Sequence, residues 1–203
     1  MERKLDDKYF INTFDEDTKI YSKKESTLLL IVDEQPRLMN ALENGEEAVV
    51  NTIALIKAFE KYDMPIIATE QYPKGLGSTD ERILDLIYKE NIFEKTIFDA
   101  AIPEVLDFIE KNNIKKVVIT GAEAHICVYQ TTRSLLNLGI NVFLPKDALA
   151  SFKENQKEEA LKALREMGAV RTETETLLFD LARDSKDPNF KFISGLVKEM
   201  RLR

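Results

Sequence analysis

The sequence predicts an α/β fold, a single-domain three-layer sandwich with a parallel sheet of about six strands flanked by helices on both faces. Short apolar segments alternate along the chain with longer amphipathic segments, which is the pattern of parallel βαβ units. The 203 residues contain no internal repeat, low-complexity tract or Gly/Ser linker, and 44% of them are hydrophobic. We therefore expect one domain at 26–203, preceded by an N-terminal arm at 1–25.

The strands are expected at short runs of apolar residues. LLLIV at 28–32 is a continuous apolar run, which favours a strand buried on both faces of the sheet. Similar runs lie at 65–69, 116–120, 140–144 and 169–172. Lys95 is expected on a further short strand or loop, because it lies between two predicted helices. Reactive groups in such sheets collect at the carboxyl ends of the strands.

The helices are expected where apolar residues recur every third or fourth position. The segment 45–62 shows this spacing most clearly. The other helices are expected at 80–89, 102–112, 126–138, 154–167, 174–183 and 190–201. Thr79 is the expected N-cap of the helix 80–89, and 70–79 is a turn-rich loop. Together with the strands, these helices predict a doubly wound, Rossmann-like arrangement.

Charge and apolar content argue against several classes of partner. The net charge is -7 and the pI is about 5.0, whereas nucleic-acid binding needs a basic stripe and anionic membranes attract cations. No apolar run approaches the ~20 residues that span a bilayer, and the N-terminus lacks the apolar segment of a signal peptide. One cysteine cannot form an internal disulfide, which favours a cytoplasmic location.

Cysteine and histidine are too scarce for most metal sites. The chain has one of each, Cys127 and His125, whereas structural zinc usually takes four such ligands. A carboxylate-rich site stays open, although no D-x-D-x-D-G loop is present. KGLGS at 74–78 lacks the spacing of a phosphate-binding loop. We expect neither a metal nor a cofactor.

Three residues with chemical potential lie at or near predicted strand ends. Asp33 directly follows the first strand, Lys95 lies in FEKTIF, and Cys127 opens the helix after KVVIT. A helix N-terminus and a nearby ammonium both lower the pKa of a thiol, and a carboxylate can carry its proton. Taken singly, each has a plainer explanation: a small buried hydrophobe for the cysteine, a helix cap for the aspartate and a solvated charge for the lysine.

Four separated motifs resemble the isochorismatase-like cysteine hydrolase superfamily. They are LLLIVDEQPRLM, PIIATEQYPKGLGST, FEKTIFDA and VVITGAEAHICVYQTTRSLLNLG, in the family's order and spacing over roughly 26–180. Asp33 and Gln35 match its D-x-Q motif. Lys95 matches the lysine of E-K-T-x-F, and Cys127 matches the cysteine of G-x-E-x-H-x-C-V. The resemblance implies that Asp33, Lys95 and Cys127 form a catalytic triad.

The resemblance also implies a mechanism. Cys127 would attack the carbonyl or nitrile carbon of a small amide-like substrate and form a covalent intermediate. Asp33 would act as general acid and base, and Lys95 would stabilise the charges. Backbone N–H groups of Glu123 and Cys127 would form the oxyanion hole. A cis peptide bond between Ala122 and Glu123 is also expected.

Differences between this sequence and two groups of the superfamily reduce the number of reactions that it could catalyse. Nicotinamidases of this superfamily bind a metal through an aspartate and histidines upstream of the lysine, and no histidine precedes His125 here. Members that cleave isochorismate lack the cysteine, so Cys127 argues against that substrate. The resemblance is therefore to the metal-free, uncharacterised amidase-like branch.

Five further residues are candidates for substrate binding: Gln35, Glu70, Tyr72, Phe98 and His125. Glu70 and Tyr72 open the loop after the second predicted strand, but Glu70 could instead anchor that loop. Phe98 could wall the pocket or belong to the core. His125 could line the pocket or only pack the loop that contains it.

Glu34 departs from the family pattern, which often has a hydrophobic residue at this position. The substitution adds a negative charge beside Asp33. If Glu34 faced the cleft, like-charge repulsion would raise the pKa of Asp33. We expect it to point away.

Two classes of function remain open. The first is hydrolysis of a small amide-like C–N bond by Cys127. The second is a catalytically idle or redox-sensing member that serves as a binding or scaffold protein. The presence of all three triad residues favours the first. A small-molecule substrate and further copies of the same chain, since the family commonly forms homo-oligomers, are the expected partners.

Overall fold

The alternation of apolar and amphipathic segments folds into a parallel sheet between two layers of helices. The computed structural model describes residues 26–202, so the predicted arm at 1–25 lies outside the described residues. The strands are β1 Thr27–Val32, β2 Ile66–Gln71, β3 Ile92–Lys95, β4 Lys116–Ala122, β5 Asn141–Pro145, β6 Leu149–Ala150 and β7 Val170–Thr172. The helices are α1 Pro36–Met39, α2 Gly45–Lys61, α3 Pro73–Leu76, α4 Glu81–Leu84, α5 Pro103–Lys111, α6 Cys127–Asn137, α7 Glu154–Glu166, α8 Thr174–Ala182 and α9 Phe190–Arg201. No helix among those described is both long and apolar enough to cross a membrane.

The strands form one sheet with β1 near its centre. Among the described residues, the ladders between these strands are all parallel, in the order β3-β2-β1-β4-β5-β7, with β6 beside the carboxyl end of β4. The chain winds outward from β1 in both directions, so β1 and β4 border the switch point where crevices form in such sheets. This part of the chain has seven strands rather than about six, because the two-residue β6 is too short to leave a sequence pattern.

Alternate residues of β1 face opposite helical layers. Leu29 and Ile31 pack with α2, α8 and α9, whereas Leu28, Leu30 and Val32 pack with α5, α6 and α7. Every residue of β1 is buried. Burial of each such aliphatic side chain contributes about 1.5–3 kcal/mol. Strand β1, which ends just before Asp33, is therefore held firmly in the core.

The segment after β2 differs from its prediction. The helix expected at 80–89 is the single turn α4, and the loop expected at 70–79 contains the single turn α3. Asp80, not Thr79, caps α4, because its carboxylate accepts a hydrogen bond from the Arg82 N–H at 3.0 Å. The Thr79 hydroxyl instead donates a hydrogen bond to Glu70 at 2.9 Å.

β1 and β4 approach closely at their carboxyl ends. Gly121 has a φ of +103°, and a Cβ at this position would lie 2.0 Å from the Val32 carbonyl oxygen. Only glycine combines that conformation with that approach. One residue further on, the peptide bond between Ala122 and Glu123 is cis, as predicted. The chain then turns through a short loop into α6, whose first residue is Cys127.

Candidate active site

Asp33 lies where β1 ends, in a backbone conformation that non-glycine residues rarely adopt. Its φ is +56°, and its carbonyl accepts a hydrogen bond from the Gln35 N–H at 2.8 Å. Such a conformation costs of order 1 kcal/mol or more and persists only where the surroundings hold it. Its N–H still donates to the Thr69 carbonyl of β2 at 3.1 Å, so the backbone stays bound to the sheet through this turn.

Both carboxylate oxygens of Asp33 are engaged. Oδ2 accepts from Lys95 Nζ at 2.6 Å, and both of these side chains are fully buried. Oδ1 accepts from the Thr69 hydroxyl at 2.8 Å. Lys95 is the last residue of β3, two strands away from β1, so its long side chain crosses the end of β2 to reach Asp33. A buried charge pair of this kind needs further hydrogen bonds to offset desolvation.

Lys95 has such bonds. Its Nζ also donates to Gln71 Oε1 at 2.6 Å and to the backbone carbonyls of Phe98 and Ile97 at 3.1 and 3.3 Å. The ammonium is thus enclosed by oxygen atoms. This arrangement compensates the desolvation of the charge and directs it toward Asp33.

Cys127 begins α6 beside this pair, with 5% of its surface exposed. The pKa values of Asp33 and Cys127 reflect a hydrogen-bond interaction between the two side chains, and that of Cys127 also reflects the nearby backbone N–H of Glu123. The Cys127 carbonyl accepts from the Thr131 hydroxyl at 2.7 Å, which ties the first turn of the helix together. The structure therefore brings together the three side chains that the motifs single out.

The electrostatics of the thiol differ from the prediction. Burial raises the pKa of Cys127 to about 12, and the neighbouring Asp33 charge adds to this, while Lys95 and the Glu123 N–H act in the opposite direction. The expected lowering of the thiol pKa is wrong, because desolvation at this site outweighs the ammonium. Burial also raises the pKa of Asp33, against the charge and hydrogen bond of Lys95. At rest the sulfur keeps its proton, and the carboxylate is in place to accept it.

The two backbone N–H groups proposed for the oxyanion hole lie next to the sulfur. The Glu123 N–H lies close enough to lower the pKa of the thiol. Cys127 is the first residue of α6, where N–H groups have no partner within the helix. Such donors can stabilise an oxyanion that forms on a carbon bonded to Sγ. Their catalytic role stays a prediction.

Gln35 and Glu70 hold the loop that follows β2. Gln35 accepts from the Gln71 N–H at 2.8 Å and donates to the carbonyls of Gln71 and Gly77 at 3.1 and 2.5 Å. Glu70 Oε1 accepts from both the N–H and the hydroxyl of Thr79 at 2.7 and 2.9 Å. These contacts support the anchoring interpretation of Glu70 and give Gln35 a similar role.

Of the other three candidates for substrate binding, Tyr72 and Phe98 lie on the surface near Lys95, and His125 lies beside β6. Tyr72 and Phe98 are 54% and 52% exposed, so Phe98 does not belong to the core. A cleft of about 460 Å³ opens beside Lys95; its walls include Tyr72, Pro73, Lys74, Glu94, Thr96, Ile97, Ile102, Pro103 and Glu104. His125 Nδ1 instead lies 3.1 Å from Ser151 Oγ, beside β6, which favours a contact within its loop.

Glu34 points away from the cleft. Its side chain is fully buried, and its Oε1 accepts from the hydroxyl of Thr52, a residue of α2 in the opposite helical layer. Burial raises the pKa of Glu34 to about 8, so the group is mostly protonated at neutral pH. A neutral Glu34 adds no full charge beside Asp33.

Within residues 26–202, no group of three or more His, Cys, Asp or Glu side chains is arranged to hold a metal ion. A protein family model, the isochorismatase domain, matches residues 27–176 and so spans β1, β3 and the start of α6.

This chain belongs to the isochorismatase family.

Members of this family are hydrolases, and several relatives resemble the chain over most of its length. The isochorismatase family protein 1A of Dictyostelium discoideum is 39% identical, over 87% of this chain and 88% of that protein. A structure described as MAR1 ribonuclease from Caenorhabditis elegans is 32% identical, with a TM-score of 0.83 over 88% of this chain and 92% of that one. The Escherichia coli YcaC gene product, described as an octameric hydrolase of unknown specificity, is 19% identical, with a TM-score of 0.82 over 90% and 94%. The last comparison shows the fold alone.

Two residues of this isochorismatase-family site were missed from the sequence. Thr69 and Gln71 lie at the carboxyl end of β2 and contact Asp33 and Lys95. Both stand in the TEQ segment, beside the Glu70 that drew attention as the charged residue. The sequence contained a signal for both residues, because polar side chains at the carboxyl end of a neighbouring parallel strand lie at the same edge of the sheet.

Proposed function

We propose that this isochorismatase-family hydrolase cleaves a small amide-like C–N bond through a covalent intermediate on Cys127. The observation that carries the proposal is the contact between the thiol and Asp33, a buried carboxylate that is itself paired with the buried Lys95. A protonated nucleophile next to a base of raised pKa is suited to concerted proton transfer and attack.

The first half of the reaction would form a thioester. The Cys127 thiol gives its proton to Asp33 while the sulfur attacks the carbonyl carbon, and the former carbonyl oxygen becomes an oxyanion. The N–H groups of Glu123 and Cys127 would bind that oxyanion. Asp33 then returns the proton to the nitrogen as the C–N bond breaks and the amine or ammonia leaves.

The second half would restore the enzyme. Asp33 removes a proton from a water molecule as the oxygen attacks the thioester carbon. The C–S bond breaks, the sulfur regains its proton from Asp33, and the carboxylic acid leaves. Lys95 stays charged throughout, because Asp33 alternates between its ionised and neutral forms beside it. The net change is amide plus water to acid plus amine.

Support for a small, uncharged target comes from the hydrogen bonds of Lys95, whose ammonium is fully engaged by the protein. The ammonium of Lys95 is directed to Asp33, Gln71 and two carbonyls. The C. elegans relative described as a ribonuclease raises RNA as an alternative, but the net charge of -7 disfavours a polyanion. We therefore favour a small molecule over a nucleic acid.

A homo-oligomer is part of the proposal. The E. coli relative is described as octameric. Tyr72, Ile97 and Phe98 are large apolar side chains that are exposed together beside the cleft, as expected of surfaces that another subunit covers. The single cysteine of the chain supports a reducing, cytoplasmic environment for the enzyme.

The proposal is tested by incubating the enzyme with a panel of small primary amides, ureas and nitriles, and with an RNA oligonucleotide. We expect ammonia release from at least one amide and, by mass spectrometry, an acyl adduct on Cys127. Cys127→Ala should abolish both while leaving the thermal unfolding midpoint close to that of the parent. Turnover that survives in Cys127→Ala, or cleavage of RNA alone, would overturn the proposal.

A further inference from the structure

We propose that Gln71 is a positioning residue, which orients the Lys95 ammonium toward Asp33 through the hydrogen bond between Gln71 Oε1 and Lys95 Nζ. The inference rests on the proposed function, since it concerns the same triad. Gln71 touches neither the sulfur nor Asp33 among the contacts described, so it would act through Lys95. Within residues 26–202, Gln71 is the side chain that hydrogen-bonds both to Lys95 and to a carbonyl of the following loop, that of Thr96.

The backbone of Gln71 is held on both sides. As the last residue of β2 it pairs in register with Lys95, the last residue of β3. Its N–H donates to Gln35 Oε1 at 2.8 Å, and its carbonyl accepts from Gln35 Nε2 at 3.1 Å. The side chain therefore leaves the sheet from a position that the Gln35 amide fixes.

The amide of Gln71 is also oriented at its far end. Its Nε2 donates to the Thr96 carbonyl at 2.8 Å, and its Oε1 accepts from Lys95 Nζ at 2.6 Å. The reverse orientation would place the NH₂ group against an ammonium and the oxygen against a carbonyl. Both contacts would then be repulsive, so a single orientation satisfies the donors and the acceptors.

The ammonium of Lys95 has three protons and four nearby oxygens. The two shortest contacts, both at 2.6 Å, go to Asp33 and Gln71. The carbonyls of Phe98 and Ile97, at 3.1 and 3.3 Å, share the third proton. The position of Nζ is thus fixed by two short hydrogen bonds, one to Asp33 and one to Gln71. No proton of Lys95 remains for a substrate, which means that Lys95 influences the reaction through Asp33.

The neutrality of Gln71 matters as much as its oxygen. An amide dipole stabilises the ammonium without competing for its charge. A carboxylate at this position would divide Lys95 between two anions and place a second negative charge near Asp33. The ionised form of Asp33 would lose stabilisation, and its pKa would rise.

The rate at which iodoacetamide alkylates Cys127, measured between pH 5 and 9 by mass spectrometry, tests the inference. Cys127 is the only thiol, so the label reports on this site alone. In the parent the rate should fall at acid pH as Asp33 becomes protonated. Gln71→Glu should move the midpoint of that fall upward by about one pH unit. Gln71→Leu, which removes the oxygen, should lower the rate above the midpoint about tenfold.

The matched control is Gln156→Glu, the same change in the first turn of α7, where a carboxylate suits the helix N-terminus. It should leave the profile unchanged. If Asp33→Asn removes the acid fall but both Gln71 variants behave like Gln156→Glu, the role of Gln71 is overturned while the triad stands. If the parent itself shows no fall that depends on Asp33, the proposed function fails instead. Circular dichroism confirms folding, and Gln71→Leu decides the outcome if Gln71→Glu does not fold.

Discussion

Asp33 and Glu34 are adjacent buried carboxyl groups whose surroundings differ on the two sides of the sheet. Asp33 faces Lys95 and Cys127, whereas Glu34 faces α2 and accepts one hydrogen bond from Thr52. Burial raises the pKa of both groups. Asp33 contacts the ammonium of Lys95 directly, whereas the effect of Arg82 on Glu34 is the smallest of those acting on that carboxyl. Burial alone thus produces a neutral acid, and burial with a paired lysine produces a base that can exchange protons.

A neutral Glu34 also satisfies its surroundings better than an ionised one. Within residues 26–202, Glu34 Oε2 has no hydrogen-bond partner. The buried hydroxyl of Thr120 likewise has none in this part of the chain. Protonation gives the carboxyl group a hydrogen, so that Glu34 is buried without a full charge. The Glu34 carboxyl is therefore part of the packing between the sheet and helix α2.

The largest expected effect is a difference in hydrolysis rate between variants of Asp33 and variants of Glu34. Asp33→Asn should lower the rate of amide hydrolysis by about 10²–10⁴-fold, because the proton acceptor for Cys127 is lost. Glu34→Gln should change that rate by less than about threefold, since it replaces one neutral group with another. Initial rates of ammonia release from the best amide of the panel measure both. Comparable losses in the two variants would contradict the distinction.

The second effect separates them by stability. Because the pKa of Glu34 is about 8 in the folded protein and near 4.5 in the unfolded chain, the folded state holds an extra proton between these values. The free energy of unfolding should therefore fall as the pH rises from about 4.5 to 8, by several kcal/mol in all. Its contribution is complete below pH ~4.5 and is lost as the pH passes 8. Urea titrations at several pH values should show a shallower decline for Glu34→Gln; equal slopes would refute the buried neutral acid.

The smallest effect compares the two threonines that serve these carboxyls. Thr69→Val removes one hydrogen bond from Asp33, which should lower the hydrolysis rate a few-fold and move its acid limb slightly upward. Thr52→Val removes the corresponding bond from Glu34 and should leave the rate unchanged while lowering the free energy of unfolding by about 1 kcal/mol. A rate loss in Thr52→Val as large as that in Thr69→Val would show that the two layers are coupled.

Much of the fold could be predicted because it rests on local patterns. The run at 28–32 became β1, and the segment at 126–138 became α6 with Cys127 at its start. The two-residue β6 carries no such pattern, and the helix expected at 80–89 is limited to the single turn α4, whose N-cap is Asp80. Periodicity identifies elements that bury a continuous face, and it is silent on elements that tertiary contacts create.

The meeting of the three candidate side chains could be predicted from the sequence, but their electrostatics could not. The motifs located Asp33, Lys95 and Cys127, and their positions at strand and helix ends predicted that they meet. The sign of the thiol pKa change depended on how deeply the sulfur is buried, which no residue pattern reveals. Gln35 and Glu70 looked like binding groups because polar residues near a nucleophile invite that interpretation. Their partners proved to be Gln71, Gly77 and Thr79.

The solitary sulfur has a consequence for how the protein endures oxidants. If Cys127 is oxidised to a sulfenic acid, no other cysteine of the same chain can condense with it. Recovery must then await a free thiol from outside, and that thiol has to reach an atom of which little surface is open. The lifetime of the sulfenic acid thus depends on whether a reducing thiol is small enough to reach the sulfur. Small thiols should therefore reduce it faster than protein reductases.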